Sequence, residues 1–159
     1  MAIIEYLEAR SIAYQINGGW AVDALAGVQT RSHRDVDVFV DADRVRELDA
    51  WLIERGYRVD ADWDPVRVEW VAGDQRVDVH PMVLAENGDG VQRGFGDEYF
   101  LHLAADRAQG RIAGHPVVIA NRRRLHELRE GYPPRVEDVH DLEILRGQDG
   151  DVVEFRFNV

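Results

Sequence analysis

The run from Asn17 to Val40, Asn-Gly-Gly-Trp-Ala-Val-Asp-Ala-Leu-Ala-Gly-Val-Gln-Thr-Arg-Ser-His-Arg-Asp-Val-Asp-Val-Phe-Val, restricts the fold more than any other stretch of the chain. A Gly-Gly step opens a short helix, a basic loop follows, and an Asp-x-Asp pair then opens an apolar strand. Side chains alternate along a strand, so Asp35 and Asp37 share one face while Val36, Val38 and Val40 take the other. Two hard carboxylates on one rigid edge suit divalent metal ions, whose remaining octahedral positions nucleotide phosphates can fill. At Gly18 and Gly19 the missing Cβ lets the backbone approach a ligand, and the helix expected from about Trp20 to Gly27 aims free N–H groups forward, where phosphate binds.

Asp-x-Asp is not a specific signal by itself. It recurs at Asp41/Asp43, Asp60/Asp62, Asp62/Asp64 and Asp149/Asp151, where it reads as helix caps, a solvated strand end before Pro65 and a glycine turn. Only Asp35/Asp37 opens a strongly apolar strand directly after a Gly-Gly helix start. Arg31, His33 and Arg34 are candidates to grip a triphosphate, against the plain reading of a polar loop. Asp23, expected in the first turn of its helix, is explained by the helix dipole.

Around this stretch the chain alternates helix and strand. Residues 2–10 have helical spacing through Ile3, Ile4 and Leu7, and Ile12 to Asn17 alternates like a strand. After the Asp35 strand, Asp41 or Asp43 caps an amphipathic helix with Val45, Leu48, Leu52 and Ile53 on its buried stripe, closing at Gly56. Tyr57 to Ala61 is another strand. Val66 to Ala72 and Gln75 to Leu84 then flank Gly73-Asp74, a two-residue hairpin turn. With Ala72 facing Gln75, the register puts Glu69 opposite Asp78 and Arg67 opposite His80. Opposed carboxylates repel unless a cation or shared proton intervenes. A metal-bound pair and a pair neutralised by Arg67, Arg76 or His80 on an exposed face both satisfy that condition.

Beyond the hairpin, Gly94 to Asp106 is open between strand and short helix, and Ile112 to Ala120 reads as a strand pair or edge. Helices are expected over 122–130 and 136–146, and the tail from Val152 to Val159 alternates like an edge strand or a subunit contact. Trp63, beside Asp62 and Asp64, is a candidate to line a substrate cleft.

Composition narrows the chemistry. Among 159 residues, 30 acidic against 19 basic give a net charge of -11, which repels polyanions and argues against a nucleic-acid substrate while favouring a cationic small molecule. All the basic residues other than histidine are arginine, so a Schiff-base lysine and a P-loop lysine are excluded. Without cysteine there is no thiolate nucleophile or zinc–thiolate site. Ser11 and Ser32 sit in no nucleophile elbow. No apolar run approaches the roughly 20 residues of a membrane span, and no signal-peptide pattern opens the chain, so a cytoplasmic protein is expected.

Gly18-Gly19-Trp20-Ala21-Val22-Asp23 and Gln29 through Asp37, with Asp62-Trp63-Asp64-Pro65, Asp78-Val79-His80-Pro81, Gly131-Tyr132, Asp138 and Asp141, together resemble the small antibiotic nucleotidyltransferases. The similarity is closest to the short lincosamide nucleotidyltransferases, and the aminoglycoside nucleotidyltransferases are more distant. It implies an α+β, polymerase-β-like nucleotidyltransferase fold: a mixed sheet with helices packed on one side, an α/β core over 1–120, and a C-terminal helical segment and tail over 121–159, in one compact unit. The implied reaction moves a nucleoside monophosphate, usually AMP from ATP, onto a hydroxyl of a lincosamide-like or aminoglycoside-like antibiotic, releasing pyrophosphate. Asp35 and Asp37 fall on the family's magnesium-ligand positions, Gly18 and Gly19 on its phosphate loop, and Asp78 on its third acidic position, with Glu69 also matching.

Two Mg2+ ions about 3.5 to 4 Å apart would hold the triphosphate. Asp78 is then third ligand or base and Glu69 the alternative base. The resemblance also implies a homodimer with a cleft between subunits. Competing expectations are a protein nucleotidyltransferase of the toxin–antitoxin kind and a non-catalytic nucleotide-binding module.

Overall fold

The computed structural model describes residues 2–130 and 132–147. Helix α1, Ala2–Ala9, buries Ile3, Ile4 and Leu7, the stripe its spacing demands. Strand β1, Tyr14–Ile16, leads into α2, Gly18–Ala26, which Gly27 ends in the left-handed conformation at φ 74°. Strand β2, Val36–Asp41, runs into a 3-10 turn over Ala42–Arg44, where the Asp41 carboxylate accepts from the Asp43 amide, and then α3, Val45–Glu54. Strands β3, Arg58–Trp63, β4, Arg67–Ala72, and β5, Gln75–Leu84, form a meander. Strands β6, Gly90–Arg93, and β7, Tyr99–His102, extend from the far end of β5. The hairpin of β8, Arg107–Ile112, and β9, His115–Ala120, precedes helices α4, Arg122–Glu127, and α5, Val136–Gly147.

The strands make one mixed sheet of order β3-β4-β5-β2-β1-β9-β8. β2 runs parallel to β5 and β1 parallel to β9, with antiparallel ladders elsewhere. Val38 and Val40 of β2, Val77 and Val79 of β5, and Ile16, Val117 and Ile119 share a single buried cluster with Leu7, Val22, Leu48, Leu52, Leu125 and Leu145 from the five helices. One face of the sheet is therefore closed by helices. The alternation that sends these valines inward sends Asp37, Phe39, Asp78 and His80 to the other face.

The hairpin register is as expected, with Ala72 paired to Gln75 and Glu69 to Asp78. Arg67 lies one step beyond the paired residues, and its side chain turns to Asp78.

Several elements differ from expectation. Strand β1 is buried on both sides, so its residues do not alternate in exposure. In α3 it is Trp51 that packs inward while Ile53 is 61% exposed, because the stripe through Leu48 and Leu52 continues on the Trp51 side. Helix α2 begins at Gly18, two residues before Trp20, which moves Asp23 out of the first turn. The open segment over 94–106 resolves into β7 and a 3-10 turn at Ala104–Asp106. The tail from Val152 to Val159 lies outside the described residues.

Candidate active site

Three carboxylates stand in a row across the free face. Parallel register sets Asp37 beside Asp78, and antiparallel register sets Glu69 on the other side of Asp78. His80, two residues beyond Asp78 and so on the same face, brings Nε2 to 3.6 Å from Asp37 Oδ1 and 3.5 Å from Asp78 Oδ2. These are ion-pair contacts, longer than a good N–H···O bond. Among the described residues, His80 Nε2 and Asp78 Oδ1 are both buried without a hydrogen-bond partner. Such atoms carry a desolvation cost of about 1–3 kcal/mol unless something meets them. Ligand atoms of Asp37, Asp78 and His80 all lie within 4.8 Å of one another, so this donor set fits a divalent cation. Burial drives the His80 imidazole towards the neutral form, but the Asp37 and Asp78 carboxylates outweigh it and hold its pKa above the ordinary histidine value.

Arg67 touches the row from the β3 side. Its guanidinium binds Asp78, lies 3.1 Å from Glu69 and sits over the Trp63 ring at 4.6 Å. The arginine neutralisation weighed as the alternative for Glu69 and Asp78 is therefore present, but not on an exposed face: the Asp78 side chain is 3% exposed. Trp63 also meets Phe95 edge-on at 6.4 Å, and both rings are open to solvent.

The glycine turn sits directly on this row. Asn17 donates its backbone N–H to the Asp37 carbonyl at 3.1 Å. Gly18 has φ 60°, and a Cβ there would fall 1.9 Å from Asp37 Oδ2. A Cβ on Gly19 would fall 2.2 Å from Arg31 Nη2 and 2.6 Å from His33 Nδ1. Only glycine lets the start of α2 descend between these side chains.

Arg31 and His33 are consequently committed to internal partners. Arg31 makes a fork to both Asp141 oxygens at 2.8 and 3.0 Å, and His33 Nε2 lies 2.5 Å from Asp23 Oδ2 while its ring packs on Trp20. Thr30 donates to Asp23 and contacts His140 of α5. Arg129 donates to Asp141 at 2.7 Å and to the Gly18 carbonyl at 3.0 Å. Burial alone would raise the Asp141 pKa, yet the two guanidinium groups carry it below the usual carboxylate range. Asp23, assigned a dipole role from sequence, is a buried hydrogen-bonding hub instead.

Asp35 precedes the first residue of β2 and falls outside the Asp37–Asp78–His80 group. Its carboxylate pairs with Arg34, whose side chain is 67% exposed and whose charge also reaches Glu69 and Asp78. A separate cavity of about 890 Å3 opens on the helical side of the sheet between Trp20, Trp51, Tyr57 and Val77; Arg34 and Asp35 reach its lining, but Asp37, Glu69, Asp78 and His80 do not. Val36 and Val77 line that cavity, whereas Asp37, Asp78 and His80 lie on the opposite face of the same two strands. His80 is legible in the sequence two residues from Asp78, within the Asp78-Val79-His80-Pro81 motif, but the sequence-based expectations include no ligand role for it; the Arg129 and Asp141 contacts span 111 and 110 residues and leave no local signal.

The sequence model of the aminoglycoside-2''-adenylyltransferase family matches residues 1–145. The chain belongs to this family. Among curated members it is similar to a lincosamide resistance protein of Staphylococcus haemolyticus, 34% identical over 87 residues that make up 54% of each chain. A 2''-aminoglycoside nucleotidyltransferase of Klebsiella pneumoniae is 31% identical over 115 residues, 72% of this chain and 62% of the relative. The matches thus span between about half and three-fifths of those relatives' own lengths. Among solved structures, the lincosamide antibiotic adenylyltransferase LnuA with lincomycin bound superposes with a TM-score of 0.82 at 25% identity, over 91% of this chain and 92% of that one. The solution structure of the resistance factor ANT(2'')-Ia shares the fold at a TM-score of 0.71 and 24% identity, over 93% of this chain and 80% of that one. The mixed sheet with helices on one face is the nucleotidyltransferase architecture of these structures. No helix among the described residues is long and apolar enough to cross a membrane.

Proposed function

We propose that this protein transfers a nucleoside monophosphate, AMP from ATP, to a hydroxyl of a small-molecule antibiotic of the lincosamide or aminoglycoside kind. The observation that carries this reading is the placement of Asp37 and Asp78 side by side on parallel strands directly beneath the Gly18–Gly19 turn. Asp37 and Asp78 would hold a divalent cation, with Asp35 recruited from its solvent-exposed pair with Arg34, which costs little to break. The bound Mg2+, two ions in our reading, supplies charge neutralisation and polarisation at the α-phosphate.

The protein's own groups account for the rest. Backbone N–H groups at the start of α2 point at the triphosphate, and Arg34 is the loop cation with an exposed head. The acceptor hydroxyl attacks the α-phosphorus: its O–P bond forms, the α–β bridging bond breaks, pyrophosphate departs, and the hydroxyl proton passes to Glu69 or Asp78. Trp63 and Phe95 offer the acceptor an aromatic wall beside Glu69. The net charge of -11 favours an amine-bearing acceptor and disfavours nucleic acid. We place the protein in the cytoplasm, where ATP is available, and as a homodimer. The exposed ladder Val83, Val91 and Leu101 is an apolar surface that a second copy would cover.

Incubation with Mg2+, ATP and a panel of lincosamides and aminoglycosides tests the reading. It expects pyrophosphate release and an acceptor heavier by one adenylyl group; binding of ATP with no acceptor modified would overturn it.

A further inference from the structure

Magnesium is served by oxygen ligands alone, yet the donor set beside Asp37 and Asp78 includes an imidazole. His80 is 8% exposed. Its ring is stacked on Phe39 at 4.4 Å and 3°, which fixes the plane. Its Nδ1 lies 3.1 Å from Gln92 Nε2, and Gln92 Oε1 lies 3.2 Å from His102 Nε2, both within the buried layer behind the site. With one nitrogen tied back, Nε2 is left facing two carboxylates and making no hydrogen bond among the described residues. An imidazole held in plane by an aromatic ring, anchored through one nitrogen and open at the other, has the arrangement of metal-binding histidines when the anchored nitrogen carries the proton and donates it.

We infer that His80 is a nitrogen ligand of the divalent cation held by Asp37 and Asp78, with Gln92 and His102 as the outer partners that set its tautomer, so that the site takes Mn2+ in preference to Mg2+. The inference rests on the nucleotidyl-transfer reading above. The chemistry of the Gln92 bridge allows both states of His80. As placed, the amide N–H donates to Nδ1, and a neutral His80 carries its proton on Nε2. Turning the amide over keeps both hydrogen bonds: Nδ1–H then donates to the amide oxygen, the amide N–H donates to His102, and the Nε2 lone pair faces the carboxylates. A neutral His102 can serve as donor or acceptor in turn. Carboxylate and water suit Mn2+ and Mg2+ alike, but Mn2+, a first-row transition ion, accepts a neutral imidazole nitrogen more readily than Mg2+, which is held by oxygen. Ligand selection therefore lies with His80, and the Asp pair accepts either ion.

Mn2+ loaded on the full-length protein gives a direct reading. The electron spin-echo spectrum of the wild type is expected to show coupling to a directly bound imidazole 14N, and competition titrations are expected to favour Mn2+ over Mg2+. His80→Asn should lose the 14N coupling and most of that preference while keeping Mg2+ binding. Gln92→Leu should weaken Mn2+ binding by about 10–100-fold, as loss of an outer partner does. Bound Mn2+ without 14N coupling, in wild-type protein that still transfers nucleotide, would overturn the role of His80 and leave the transfer reading intact. Failure to bind either ion together with failure to transfer nucleotide would overturn both, and the wild-type spectrum decides even if a variant does not fold.

Discussion

Arg129 reaches back from the end of α4 to donate a hydrogen bond to the Gly18 carbonyl at 3.0 Å, with the same guanidinium nitrogen bound to Asp141 at 2.7 Å. A buried ion pair is thereby tied to the turn beneath which the acidic row stands. Its partner Arg31 closes the other side of Asp141 at 2.8 Å and abuts Gly19. Arg129→Met would leave Asp141 with one guanidinium and release the Gly18 carbonyl. We expect unfolding stability in urea to fall by about 3 kcal/mol, the usual result of stripping one partner from a buried pair. The KM for ATP should rise more than kcat falls, because the turn is displaced while the carboxylates remain. Unchanged KM would show that the brace has no bearing on nucleotide binding.

Gly18→Ala puts a methyl group where Asp37 Oδ2 now sits, at a backbone φ of 60°. Steric displacement of Asp37 should reduce transfer by at least about 100-fold, as misplacement by an ångström commonly does. Gly27→Ala is the matched control: φ is 74° there too, but the space around it is open. It should cost on the order of 1 kcal/mol of stability with unaltered kinetics. Steady-state rates for both variants at saturating Mg2+ decide the matter, and equal rates would mean that Asp37 tolerates the intrusion.

Local pattern carried much of this architecture. The Asp37 strand and the two-residue turn at Gly73-Asp74 were readable because alternation and turn chemistry are short-range, and counting back from the turn set Glu69 against Asp78 correctly. The parallel pairing of Asp37 with Asp78 across 41 positions rests on the β2–β5 crossover, which no local rule supplies; the resemblance to known nucleotidyltransferases implied that the two aspartates belong to one site, not how their strands pair. The loop residues Arg31 and His33 were open to a triphosphate role because their partners, Asp141 and Asp23, belong to α5 and α2. Ile53 was misassigned because helical spacing alone cannot say which flank of the Leu48–Leu52 stripe the sheet will meet.

Glu69 and Asp78 can be separated by isosteric amides. Asp78→Asn removes charge from an aspartate shared by Arg67 and His80, so both divalent-ion binding and transfer should be lost. Glu69→Gln should leave ion binding intact and, if Glu69 takes the proton, lower kcat by about 10²–10⁴-fold. Isothermal titration with Mn2+ beside single-turnover rates distinguishes the two, and a Glu69→Gln variant of full activity assigns the base to Asp78.

Arg67 competes with any cation for Asp78, since its guanidinium already binds that carboxylate. Arg67→Met keeps most of the stem's length and removes the charged head that lies over Trp63. Divalent-ion affinity should increase by about tenfold, the equivalent of roughly 1.4 kcal/mol of relieved competition. A weaker affinity in the titration would show that Arg67 organises the carboxylates for the ion.

His102 provides a pH signature separate from catalysis. Burial, reinforced by the positive charges of Arg124, His80 and Arg107, pushes its imidazole down to about 4, whereas the unfolded chain has an ordinary value of about 6.5. Between these two values the unfolded state binds a proton that the folded state refuses, so stability must fall as pH falls, with a slope of up to about 1.4 kcal/mol per pH unit. Above pH 6.5 this contribution is fully present, and below about 4 it is gone. His80, held above its ordinary value, has the opposite sign: its contribution is complete below pH 6.5 and is lost only as pH rises through its folded value, so it adds no slope in the window. Asp141, held low by Arg31 and Arg129 against its burial, loses its contribution only below the ordinary carboxylate value of about 3.9. Urea unfolding of the wild type and of His102→Gln at pH 7.5, 5.5 and 4.5 should therefore give curves that converge on acidification, the wild type losing up to ~3 kcal/mol more than the variant across the range. Parallel loss of stability in the two proteins would show that His102 is protonated as readily in the folded chain as in the unfolded one.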